Sequence, residues 1–358
     1  MGILERMMSK SEQKKVYKKL SKSSIIINLS VIFVIFIVLN TLINTGVLNR
    51  YYSTILVLIL VAIIMSTSLN IGTGFLGQLI LGHAGFMAIG AYTAALIGIA
   101  LNDVIVNDFL FISRNLIIFI IAGSGAMFTA SIAGLLVGTP ALRLRGDYLG
   151  IMTLGFGEIV RVIITNLEIT NGAQGLMGIP RLMTFPIAFW TTVIVVLIIY
   201  LFMSSRHGRA ILSIREDEIA SESVGINITK YKIMGFVLAS LFGGLGGAVF
   251  AFQGGFLAPV SFGFIKSVEI FVIVVLGGMG SISGAIIAAI ILTFLPELLR
   301  EFDQYRLLLY SGLLVVTMLF RPQGLMGTKE LDPKKQIRKV YRFIKKIIKK
   351  DINKGSDL

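Results

Sequence analysis

The sequence predicts an all-α protein, a polytopic membrane helix bundle of about ten transmembrane helices with a broken or re-entrant glycine-rich segment and both termini cytoplasmic. Three observations carry this. Of 358 residues, 55% are hydrophobic and only 15% charged, and mean hydropathy is +0.87, whereas a soluble domain has about a quarter of its residues charged. Six stretches carry no Asp, Glu, Lys or Arg for the roughly 20 residues that cross a bilayer core: Ser23 to Asn49, Tyr51 to Asn102, Asn115 to Leu142, Leu182 to Ser205, Ile233 to Ile265 and Ile270 to Pro296. The cationic residues lie in blocks beside these stretches.

Dividing the stretches at polar and glycine-rich breaks places spans at 25–48, 51–69, 84–101, 115–138, 148–166, 185–203, 233–252, 264–278, 283–299 and 305–320. An even number of crossings puts 26 of the 33 Lys and Arg residues on one side, the distribution the positive-inside rule demands of the cytoplasmic face. The domain plan is a basic cytoplasmic segment at 1–24, a transmembrane domain at 25–320 and a basic cytoplasmic tail at 321–358. In the tail, Ile337, Val340, Tyr341, Phe343, Ile344, Ile347 and Ile348 fall among the cations, as in a helix adsorbed to anionic lipid. The net charge of +14 is thus explained by the membrane and not by nucleic acid. The first apolar stretch exceeds a signal-peptide core, so it reads as a retained helix.

Two intervals depart from plain helix. Asn70 to Gly90 has glycines at 72, 74, 77, 82, 85 and 90, and each lowers helix stability by nearly ~1 kcal/mol relative to Ala. Irregular backbone at membrane depth is tolerated where it is buried in protein or lines a wet cavity, which places Gln78 and His83 near a translocation path. The alternative is close helix packing through small residues. Asn166 to Thr184 is a polar outer loop with an Asn171-Gly172 turn signal. It is either a simple connector or a second part of the path, with Asn171 and Gln174 as its polar candidates.

With no cysteine and only His83 and His207, a zinc centre is not expected. No phosphate-cradling GxxxxGK[ST] loop occurs, and no catalytic triad or paired-His helix is recognisable, so no enzyme activity, cofactor or metal is expected. Glu158 and Arg161 share one helix face inside the fifth span. Neutralising each other there serves structure, with a gate or proton relay as the alternative, and Glu269 is the only further carboxylate placed for a relay. Arg206 to Lys232 is the longest polar interval between spans, and helix formers from Arg209 to Val224 end at Gly225, a fitting stop. Its apolar residues do not form one face, and its Arg215, Glu216, Asp217 and Glu218 suit docking to a partner.

Several ordered motifs between residues 50 and 327 resemble the branched-chain amino-acid ABC importer permeases of the LivM type. They are GQLILGHAGFMAIGAYTAAL at 77–96, RLRGDYLGIMTLGFGEIVR at 143–161, TNGAQGLMGIP at 170–180, GRAILSIREDEIASESVGINITKYK at 208–232, VLGGMGSISGAIIAA at 275–289 and RPQGLMG at 321–327. The resemblance implies a multi-pass permease of a bacterial inner membrane. It also implies a second homologous permease, two cytoplasmic ATPase subunits that hydrolyse the ATP, and an extracytoplasmic binding protein delivering Leu, Ile or Val. Residues 208–225 then correspond to the coupling segment that fits an ATPase groove, with Arg209, Arg215, Glu216, Asp217, Glu218, Glu222 and Gly225 as contact candidates. Ala220, Glu222 and Gly225 match the Glu-Ala-Ala-plus-Gly pattern of ABC importers only in part. Relatives carrying urea, short amides or sugars leave those cargoes open. A stand-alone channel or secondary carrier is the more distant alternative.

Overall fold

The computed structural model describes residues 22–104, 113–142, 146–299 and, further on, 311–312, 315, 319–320 and 324–327. The basic segment 1–24, the tail 321–358 with its amphipathic pattern, and the tenth predicted span at 305–320 lie wholly or mainly outside the described residues.

Helices α1 (Lys22–Asn44), α2 (Arg50–Asn70), α3 (His83–Val104), α4 (Arg114–Ala141), α5 (Asp147–Asn166) and α6 (Phe185–Ser204) follow one another, each apolar over most of its length. Two short polar helices come next, α7 (Arg206–Glu216) and α8 (Glu218–Ser223). The chain then returns through α9 (Ile228–Gly254), α10 (Phe264–Gly277) and α11 (Ile282–Leu298). Among the described residues, seven helical segments are long and apolar enough to cross a membrane, and two shorter apolar helices, Ser30–Asn44 and Ile282–Leu298, accompany them. The predicted eighth span, 264–278, corresponds to α10, which has 14 residues and reaches crossing length together with the preceding 3-10 turn, Pro259–Phe262.

Consecutive spans alternate in direction. Phe236 of α9 packs against Gly138 and Phe252 against Phe119, so α9 and α4 run antiparallel. Gly90 and Gly98 of α3 meet Gly244 and Phe252, so α3 and α9 run parallel. The end that carries α7, α8, Lys230 and Lys232 is the inner, cytoplasmic end by the positive-inside rule.

Helix α2 is deeply enclosed, with Val57, Ile64, Met65 and Leu69 fully buried, and it packs against α9, α11 and α6, while the most extensive pairings in the bundle include that of α3 with α9. These two approach backbone to backbone. A Cβ added at Gly90 would lie 2.1 Å from the Gly244 carbonyl oxygen, and one at Gly247 would lie 2.0 Å from that of Met87. Small residues permit this contact, which replaces the hydrophobic drive that lipid removes. Exposed apolar side chains such as Phe128, Leu136, Ile151 and Leu201 leave α4, α5 and α6 with faces for lipid or for another membrane subunit.

Candidate functional site

The inner end is assembled around the break between α2 and α3. After Asn70 the helix widens into a π-helical turn, Ile71–Phe75. Leu76 N–H still donates to Ile71 and Gln78 N–H to Gly72, after which residues 76–82 run without helix. This is the expected broken segment, and protein encloses most of it, with 71–76, Ile80 and Gly82 buried, Gln78, Leu79 and Leu81 half-buried and Gly77 exposed. Leu81 N–H donates to Thr153 Oγ1 at 3.0 Å, and a Cβ at Gly82 would lie 1.7 Å from the Thr153 carbonyl oxygen. Helix α3 therefore begins inside the bundle, at His83, with Ala84 N–H donating to Ser267 Oγ at 3.2 Å.

Asn70 ties the end of α2 to the corner between α10 and α11. Its Oδ1 accepts from Gly280 N–H at 2.9 Å and its Nδ2 donates to the Ser281 carbonyl at 3.0 Å, so a fully buried amide is satisfied at both atoms. Residues 324–327 return to the same corner, where Leu325 and Met326 N–H groups donate to the Leu276 and Gly277 carbonyls.

The polar interval between α6 and α9 folds as a helical hairpin on this end. Ser205 caps α7, and Ile211 and Ile214 bury themselves in the bundle. Asp217 Oδ1 accepts from Ala220 N–H at 3.0 Å, capping α8. Glu218 pairs with the buried Lys232. Beyond Arg215 the hairpin faces outward, with Ile219 82% and Val224 75% exposed among Glu216, Asp217, Glu218 and Glu222. Gly225 ends it at φ +85°, where an L side chain is strained.

The predicted path candidates occupy three separate places. His83 is buried and shares a 2.8 Å hydrogen bond between Nε2 and Ser68 Oγ, while its Nδ1 has no partner among the described residues. Gln78 lies half-buried in the extended segment at the inner end. Asn171 and Gln174 are exposed in the outer loop, where Asn171 adopts φ +60° and its Nδ2 donates to the Gly175 carbonyl at 3.1 Å. Glu158 and Arg161 form the expected i, i+3 pair at 2.7 Å. Glu158 Oε1 also accepts from Phe264 N–H at 2.9 Å, placing a carboxylate at the positive N-terminus of α10.

Of the coupling candidates, Arg209 donates to the Ser204 carbonyl at 3.2 Å. Arg215 turns into the bundle, and Nη1 donates to the Gly74 carbonyl at 2.9 Å. Sequence reasoning passed over Asn70, Ser68 and Gly280. The signal for Asn70 was an amide ending an apolar span directly before IGTGF.

At the outer end a 780 Å³ cavity opens between α1, α2, α6 and α9, lined among others by Asn40, Asn44, Arg50, Arg181 and Gln253. Its two charged lining residues are both cationic.

Residues 51–320 match the family model described as the permease component of the branched-chain amino acid transport system. The chain belongs to this family. The high-affinity branched-chain amino acid transport system permease LivM of Salmonella typhimurium is 38% identical over 302 residues, covering 75% of this chain and 68% of the relative. LivM of Escherichia coli K12 is likewise 38% identical, over 304 residues with the same coverage. LivH of Escherichia coli K12, named as a permease of the same transport system, is 25% identical over 223 residues, covering 62% of this chain and 67% of LivH. The broken inner segment at 71–82, the Glu158–Arg161 pair and the inner hairpin all lie within the matched residues. The protein is a multi-pass membrane permease.

Proposed function

We propose that this permease forms half of the translocation path of an ATP-driven importer of branched-chain amino acids, pairing with a second, homologous permease. An extracytoplasmic binding protein delivers Leu, Ile or Val at the outer end, and two cytoplasmic ATPase subunits supply the energy at the inner end. The observation that carries the reading is the inner hairpin. Its inward face, Ile211 and Ile214, is buried, yet Ile219 and Val224 stand out at the cytoplasmic end with four acidic residues around them. Two large aliphatic groups held in water on a short, capped helical hairpin are stabilised when a partner covers them.

The cycle is alternating access. Closure of the ATPases displaces the hairpin, and the motion reaches the break between α2 and α3, where the helical ladder is interrupted inside the bundle. Irregular backbone there rearranges without breaking a continuous helical ladder.

The test uses the hairpin's exposed residues, because changing them removes no contact inside the permease. The double variant Ile219→Asp, Val224→Asp is expected to keep its place in the membrane, lose the ATPases on purification and lose ATP-driven leucine uptake. Full co-purification with full uptake would refute the docking. Uptake by vesicles holding this subunit alone, without ATP, would replace the importer reading with a stand-alone carrier. Competition of leucine uptake by urea or ribose would shift the cargo to those solutes.

A further inference from the structure

We infer that Arg215 is the positioning residue that transmits movement of the inner hairpin to the helix break, an inference that rests on the importer reading above. Where α2 ends at the π-helical turn, the carbonyls of its last residues have no following helical N–H to accept from, as at any helix C-terminus. The Gly74 carbonyl is one of them, and it is capped by the Arg215 guanidinium across 141 positions of sequence. A cation at a helix C-terminus faces the negative end of the helix dipole, and a charged donor makes the stronger kind of hydrogen bond.

The route of the side chain shows how closely this contact is built. A Cβ at Gly77, itself at φ +73°, would lie 2.8 Å from Arg215 Cγ, and one at Gly280 would lie 2.7 Å from Nη1. Arg215 therefore passes between two glycines, one on the break and one on the corner between α10 and α11. The remaining guanidinium nitrogens are held by Glu216 Oε1 at 2.7 Å from Nη2, a carboxylate that stays 72% exposed while Arg215 is 25% exposed. Within two consecutive residues the hairpin changes from an outward surface to a contact with membrane-depth backbone.

The end of α2 thus has two attachments of different kinds. Asn70 holds it to the corner between α10 and α11, which belongs to the bundle itself. Arg215 holds it to the element that faces the cytoplasm. Only the second carries a displacement from outside the membrane to residues 71–82. Leu76 and Ile211, which converge on the Gly235 site of α9 at 3.4 and 3.7 Å from its added Cβ, guide the movement without a directional bond.

The experiment reads ATP hydrolysed per leucine taken up, using the complete transporter reconstituted in vesicles with its partner permease, both ATPases and the binding protein. Arg215→Gln is expected to assemble in wild-type proportions and to raise the ratio at least tenfold. A residue acting only as a structural cap would lower assembly, hydrolysis and uptake together and leave the ratio unchanged. The chain has no cysteine, and the Cβ built at Gly77 lies 3.7 Å from that of Arg215, within the range a disulfide needs. The pair Gly77→Cys, Arg215→Cys carries an L side chain at φ +73° in both its states, so it is compared with itself: assembled oxidised and measured before and after reduction, it is expected to show a ratio at least fivefold lower when linked than when reduced. An Arg215→Gln ratio within twofold of wild type, or a pair whose ratio is the same linked and reduced, overturns the inference. If Arg215→Gln does not assemble, the linked and reduced states of the pair decide alone. A wild-type complex that hydrolyses ATP but takes up no leucine refutes the importer reading itself, and the inference falls with it.

Discussion

At the inner end, the chain between Asn70 and His83 is threaded through the bundle with backbone of other helices on several sides. At the outer end, the chain between Asn166 and Phe185 forms two 3-10 turns, Glu168–Thr170 and Gly172–Gln174, and a short extended run. Both are rich in glycine, and Gly82 of the inner segment and Gly178 of the outer one use the missing side chain for different purposes. At Gly82 the missing side chain is what lets the Thr153 carbonyl approach, whereas Gly178 has φ +76° and nothing within 4 Å of an added Cβ. The outer loop is anchored by the antiparallel bridge of Leu176 to Leu257, by Met183 N–H donating to the Phe252 carbonyl and by buried Ile179 and Leu182, and between these anchors, at Gly178, it shapes itself by local dihedrals. The inner segment is shaped by its neighbours, so a change there is felt by several helices at once.

The largest expected effect follows from this contrast. Gly82→Ala places a methyl carbon 1.7 Å from backbone oxygen, which neither α3 nor α5 can relieve by a rotamer change, and we expect a loss of about 3 kcal/mol, the upper range for overpacking. Thermal denaturation in detergent, followed by size-exclusion chromatography, should show little folded monomer. Gly178→Ala should cost about 1 kcal/mol, the left-handed penalty alone, and Gly178→Asn less, since Asn tolerates that region. Equal damage at both positions would erase the distinction between the two segments.

A second, smaller effect separates enclosed polar groups from half-exposed ones. Ser68→Ala removes the partner of His83 Nε2 in a site where Nδ1 already has none among the described residues. A buried imidazole left without its bond should lose about 1 to 3 kcal/mol, read as a lower melting temperature with expression retained. Asn171→Ala, which breaks only the local bond to Gly175 at the exposed outer loop, should shift melting by less.

Much of the fold was legible because hydrocarbon thickness imposes a length on apolar runs. The predicted spans at 51–69, 84–101, 148–166 and 185–203 correspond to α2, α3, α5 and α6 within a few residues, and the glycines at 72 to 82 marked the break correctly. Helix α9 begins at Ile228, five residues before the predicted 233, because Asn227 caps a polar first turn at the membrane surface where hydropathy gives no signal. The site was less legible. A cation in a polar loop reads as solvated, and only the fold reveals that Arg215 turns away from water to a carbonyl 141 positions earlier in the chain. Likewise, Glu158 and Arg161 were paired by helical spacing, but the N–H of Phe264 that Glu158 also accepts from lies 106 positions away.

That additional bond sets the smallest expected effect. The Glu158 and Arg161 side chains are 33% and 34% exposed, so their attraction is partly screened and is worth under about 1 kcal/mol. Glu158→Gln loses the charge but keeps a carbonyl oxygen that can still accept from Phe264 N–H, and melting should barely move. Glu158→Leu removes the acceptor as well and leaves Arg161 unpaired near the outer end of α5, so it should cost about 1 to 2 kcal/mol more, the range for stranding a polar partner. If the two variants behaved alike, the carboxylate would act through Arg161 alone, and the first turn of α10 would not depend on it. A large loss of uptake in Glu158→Gln with unchanged melting would instead give the pair the gating role, because only a charge requirement, and no packing change, separates Gln from Glu at this position.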